Sequence, residues 1–159
     1  MLARIKAFLN GVDGRAARAA GDDGLTEAAV AVFVESALMD GVFHDAERRT
    51  IIAILVERFE LSADDANALV DAALAETDGA NRMFKATQII RDGFSEEQRI
   101  DMMEMLWQVA YADGVLDDYE ANLVRRVAGL LYVKDQDSGG ARKRALKRLG
   151  LEDTNEDRK

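Results

Sequence analysis

Two stretches of the chain carry carboxylates at matching offsets: ALMDGVFHDAE at residues 37–47 and AYADGVLDDYE at 110–120. Ala, Asp, Gly, Val, Asp and Glu recur in register, 73 residues apart. Oxygen-rich clusters of this kind suit hard cations, with Ca²⁺ and Mg²⁺ the expected candidates. The candidate ligands are Asp40 and Glu47 in the first elbow, and Asp113, Asp117, Asp118 and Glu120 in the second. Neither elbow is an EF-hand loop, because DGVLDDYE lacks that loop's spacing of acids and its central Gly. His44, the only histidine, has no companion ligand close in sequence and reads as a surface or cap residue.

The same residues also make good helix joints. Gly41 and Gly114 stand where a left-handed residue stops a helix. Asp117 with Glu120 spells an N-cap and its N3 carboxylate, with His44 and Glu47 as the weaker counterpart. Acids in a first turn complement the helix dipole. Asp40 and Asp113 are the residues these rules leave over, since a carboxylate at the C-terminal end of a helix opposes the dipole.

Other chemistry finds little support. The chain has no cysteine, which excludes disulfides, thiolate metal sites and a Cys nucleophile. No phosphate-binding Gly loop, G-x-S-x-G elbow or zinc-protease pattern occurs. The protein is expected to be no enzyme. A hydrolase running on paired carboxylates is a further alternative, and it would require a cleft that separates their pKa values.

The elements that must position these residues are helical. Proline is absent from all 159 residues, and no segment alternates with strand period. Residues 10–24 read as a Gly/Asp-rich linker, and Thr26 as the cap of a helix running to Leu38 or Asp40. Further helices are expected over about 45–59, 62–76, 78–93, 95–111 and 118–131. A last one begins near Asp135, weakened by Gly139 and Gly140. Apolar matches at the same offset (Val30 with Met103, Ile51 with Val124, Phe59 with Tyr132) extend the repeat. The expectation is all-α: about seven helices in a pseudo-symmetric array with two helix–DG–helix hairpins. Residues 1–23 form a short amphipathic helix and linker, 24–150 the helical domain, and 151–159 a disordered charged tail.

The net charge is −9, concentrated in residues 21–138, where 25 acidic side chains face ten basic ones. Such a field repels nucleic acid and favours cations or a protein partner with a basic surface. No run is long enough to span a membrane, and charges interrupt any signal-peptide core. The expected location is the cytoplasm. Residues 1–12, with Leu2, Ile5, Phe8, Leu9 and Val12 on one face, offer an alternative: a membrane-peripheral adaptor at the inner face.

ALMDGVFHDAERRTI and LWQVAYADGVLDDYEANLVRRVAGLLYVKDQDS resemble the helix–ADG–helix segments of TerB-like (tellurite-resistance protein B-like) proteins. The likeness covers about residues 25–149, and the second elbow carries it most specifically. It implies an all-α fold of about seven helices, a role in bacterial stress responses of the tellurite-resistance type, and acidic patches suspected of binding metal. Direct reduction of tellurite would want thiols or a redox cofactor, and the chain offers no cysteine.

Overall fold

Helix ends fall where the short polar residues put them. Ser62 Oγ accepts the Asp65 backbone N–H at 3.1 Å, satisfying one of the donors a helix start leaves open. At Ser95 the capping box closes both ways, with Gln98 N–H to Ser95 Oγ at 3.2 Å and Ser95 N–H to Gln98 Oε1 at 2.9 Å. The computed structural model describes residues 14–38, 43–76, 79–114 and 118–151. Over these the chain is all-α, with helices α1 (Gly14–Ala37), α2 (Asp45–Arg58), α3 (Ala63–Ala75), α4 (Gly79–Gly93), α5 (Glu96–Ala110), α6 (Asp118–Leu130) and α7 (Asp135–Arg148). The amphipathic residues 1–12, the charged tail beyond Leu151, and Asp40, Gly41 and Asp117 lie outside the described residues.

One expected boundary is overturned. Residues 14–24 are helix and not linker, and Thr26 is an interior residue of α1, 2% exposed, rather than its cap. Ala16, Ala17, Ala19 and Ala20 supply helix propensity that outweighs the scattered glycines. The anchor is Leu25, fully buried against Gly93 at the end of α4. Every residue from Ala28 to Val34 is buried, so α1 has no polar face there and must be covered on all sides. It touches α2, α3, α4, α5 and α6.

The repeat also needs a correction. Phe59 is fully buried, whereas Tyr132 is 68% exposed, so Leu131 takes the buried position. Helix α6 is one residue shorter than α2 (13 against 14), which shifts the register past their ends. The left-handed residues that follow are then Glu60 and Tyr132, both at φ 58°, and the Arg91 guanidinium stacks 4.7 Å from the Tyr132 ring.

Helix α5 is buried more broadly than one stripe, with Met102 through Trp107 all inside, because α7 covers its second face. Trp107 Nε1 donates to the Ser138 carbonyl at 3.1 Å and to its hydroxyl at 3.2 Å. Arg142 Nε donates to the Tyr111 hydroxyl at 2.8 Å. These contacts offset the helix-weakening effect of Gly139 and Gly140.

Within that buried run sits Glu104, 3% exposed. Arg144 Nε reaches its Oε1 at 2.9 Å, while Arg148 Nε at 2.6 Å and Arg58 Nη1 at 3.3 Å share Oε2. The cluster ties the ends of α2 and α7 to the middle of α5. Burial alone would raise the Glu104 pKa, but the bonds from Arg144 and Arg148 and the charge of Arg58 overcome it and hold the carboxyl below the ordinary range.

Two predictions follow from this packing. In Gly93→Ala the new methyl collides with Leu25 Cδ2 in the closed core, so denaturant unfolding should show a net loss of about 1–2 kcal/mol. Glu104→Gln should cost about 2 kcal/mol at neutral pH, since charge-assisted bonds are lost while Arg144 and Arg148, both half-exposed, can turn to water. A depressed carboxyl stabilises the fold above its unfolded pKa and loses that contribution as pH falls through its folded value. The difference between wild type and Glu104→Gln should therefore shrink below about pH 4.

Candidate functional site

The last turn of α1, the first turns of α2 and α6, and the last two turns of α5 meet at a small cleft. Its volume is about 20 Å³, room for one water-sized guest. Glu47 and Glu120, the paired glutamates of the two elbows, both line it. Helix α2 packs on α5 and α6 on α1, so two residues 73 positions apart arrive at one place. Apolar side chains form the walls, among them Leu106, Leu123 and Val124.

Glu47 is half-buried and accepts the His44 backbone N–H at 3.0 Å. One of its oxygens thus serves the start of α2, as capping rules require. Glu120 is half-buried in the first turn of α6. His44 and Asp45 are exposed and do not line the cleft.

Asp113 does not sit where the sequence suggested. It lies in the turn beyond α5, exposed, with Gly114 at φ +85° donating its N–H to the Tyr111 carbonyl at 2.8 Å. The opposition to the helix dipole falls off within the last turn, so much of the apparent anomaly at this residue disappears. Asp113 is not part of the cleft lining. Asp118 opens α6, and its side chain is outside the described residues, as are Asp40 and Asp117. Among the described residues no group of three or more His, Cys, Asp or Glu is gathered as a metal site.

Ser36 is a further member of the cleft, and no sequence motif marks it. Its hydroxyl is buried at the same cleft and has no protein hydrogen-bond partner. The available signal was position: Ser36 directly precedes the first elbow on the last turn of α1. Two carboxylates and a hydroxyl supply oxygen donors alone, a set that suits a hard cation or an ammonium or guanidinium group.

Two other carboxyls are perturbed. Glu35 is raised by burial, with Arg82 lowering it and Glu76 raising it further. Asp101 is raised by burial against the nearby Arg58. Neither lines the cleft. A broader groove of about 470 Å³ runs between α1 and α4, with Glu27, Glu76, Arg82 and Lys85 on its walls. Its Arg82 is already engaged, donating to the Ala73 carbonyl at 3.0 Å.

A family model described as "Tellurite resistance protein TerB" matches residues 26–143. The chain belongs to the TerB family. The TerB match takes in Ser36, both elbows and Glu104, and stops just short of Arg144 and Arg148. No curated protein and no solved structure matches the chain. Among the described residues, no helix of this TerB-family chain is long and apolar enough to cross a membrane.

The orphan hydroxyl yields a prediction. Ser36→Ala removes a buried polar atom that bonds to no protein group, so thermal unfolding without added metal should show stability unchanged or raised by up to about 1 kcal/mol. A loss of more than that would show that the hydroxyl is satisfied in solution.

Proposed function

We propose that this TerB-family protein is a non-catalytic acidic module that takes one divalent cation, or a cationic group of a basic protein partner, at the cleft between its two elbows. The observation that carries this reading is the convergence of Glu47 and Glu120 on a single cleft beside the unpartnered Ser36 hydroxyl. Each elbow by itself is explained by helix capping. The arrival of Glu47 and Glu120 at one cleft is not, because capping needs no partner from the other hairpin.

Bound there, the ion would hold the start of α2 against the start of α6 and draw the hairpins together. Glu47 and Glu120 would supply carboxylate oxygens and Ser36 a neutral one. Ca²⁺ takes six to eight oxygens as a rule, so the remaining donors would come from water and from the elbow acids Asp40, Asp117 and Asp118. A lysine or arginine from a basic partner would meet the same carboxylates through charge-assisted hydrogen bonds. In either form the module would act as a sensor or scaffold in a bacterial cytoplasmic stress response, with no bond made or broken.

Calorimetric and NMR titration with Ca²⁺, Mg²⁺ and Mn²⁺ tests this. One shared site gives one ion per chain, with the amides of Ser36, Glu47 and Glu120 shifting together. Glu47→Gln and Glu120→Gln should each weaken binding by about tenfold, or about 1.4 kcal/mol. Two ions per chain, with the elbows titrating separately, would replace the shared site by two independent ones. Absence of any shift at these residues in millimolar metal would remove the cation.

A further inference from the structure

We propose that Arg58, Arg144 and Arg148, gathered around Glu104, form a binding site for a phosphate-type oxyanion. The starting point is a surplus of donors. Three guanidinium groups converge on one buried carboxylate, Glu104. Asp101 is within electrostatic reach of Arg58 and Arg144 and offsets part of their charge, yet among the described residues it forms no ion pair with the three arginines.

The geometry shows where that anion would sit. Arg144 and Arg148 engage Glu104 through Nε. A guanidinium has five donors in a planar fork, so each keeps its terminal Nη groups for something else. Among the described residues no other hydrogen bond or ion pair occupies them. The two arginines stand one helical turn apart on α7, which places them on one face. Their side chains are 50% and 48% exposed, open to a ligand from solution. Glu104 fixes the Nε edges from below, so the forks are oriented before a ligand arrives, which lowers the entropic cost of binding.

Gly140 adds an independent point. It lies inside α7, where glycine weakens a helix, and no tight packing requires it. A Cβ there would have one near neighbour, Arg144 Nη1 at 3.5 Å. The absent side chain leaves that fork uncovered. The carbonyl end of α7 opposes an anion near Arg148, but charge-assisted bonds to phosphate oxygens from several donors exceed that end effect. The ligand class is a tetrahedral dianion with oxygens enough for three forks, presented either by a soluble phosphate or by a phosphate-bearing lipid headgroup. This site shares no residue with the elbow cleft.

Titration of the full chain with inorganic phosphate, against chloride at matched ionic strength, tests the proposal. Phosphate should bind saturably below about 10 mM, shifting the Nε–H signals of Arg144 and Arg148. Arg144→Lys keeps a charge beside Glu104 but loses the fork, and should weaken binding about tenfold. Gly140→Leu leaves all three arginines in place, favours the helix, and should weaken binding severalfold by covering Nη1. Lys147→Ala should stay within twofold of wild type. Vesicles of phosphatidylcholine with and without phosphatidic acid then separate the sources. Capture by phosphatidic acid that Arg144→Lys abolishes assigns a lipid headgroup, and saturable binding of phosphate without capture assigns a soluble one. Failure of phosphate to bind more tightly than chloride would overturn the site. So would equal phosphate binding by wild type, Arg144→Lys and Gly140→Leu, or a loss in Lys147→Ala as large as in Arg144→Lys.

Discussion

A helix buried on every side sets the terms for the rest of the chain. From Ala28 to Val34 nothing in α1 is polar and nothing is exposed, so its stability comes from being surrounded. The small side chains of Ala28, Ala29 and Ala31 let neighbouring helices approach closely, and Gly93 does the same from the side of α4. Five other helices touch α1. Its last turn therefore ends deep between the two hairpins, and Ser36 and Ala37 are delivered to the elbow cleft by the same burial that builds the core.

Helix α7 is held differently. It covers α5 and touches α6, and much of what fixes it is polar. The Trp107 indole grips Ser138, Tyr111 accepts from Arg142, and Glu104 draws in Arg144 and Arg148. Polar locks of this kind fix one orientation where apolar packing would tolerate several, at the risk of a buried charge if a partner is lost. Arg58 brings the end of α2 into the same lock. The cluster thus joins the first hairpin to the C-terminal helix without passing through α1.

The sequence made the architecture legible where local rules act alone. Ser62 and Ser95 capped as their side chains dictate, and Gly114 took the left-handed turn expected of it. The start of α1 was not legible, because Gly21, Asp22, Asp23 and Gly24 look like a break and the burial of Leu25 is a tertiary fact. Tyr132 was matched with Phe59 because a fixed offset cannot register the single residue by which α6 is shorter than α2. At the site, the repeat pointed to Glu47 and Glu120, but their meeting depends on α2 crossing α5 and α6 crossing α1. Asp113 looked anomalous only while it was taken to lie within the final turn of α5. Glu104 did leave a trace: a single acid in the run MMEMLW is out of place on a buried face, and such a residue asks for a cation from elsewhere in the chain.

The two charge systems of the molecule are built on opposite principles. At the elbow cleft the described donors are oxygens alone, two carboxylates and the Ser36 hydroxyl. Around Glu104 the converging groups are donors, three guanidinium groups on one buried carboxylate. A net charge of −9 then describes neither site. What a ligand meets is set by which groups the helices hold together, and here α1, buried on all sides from Ala28 to Val34, helps bring Glu47 and Glu120 to one cleft while Glu104 draws in three arginines.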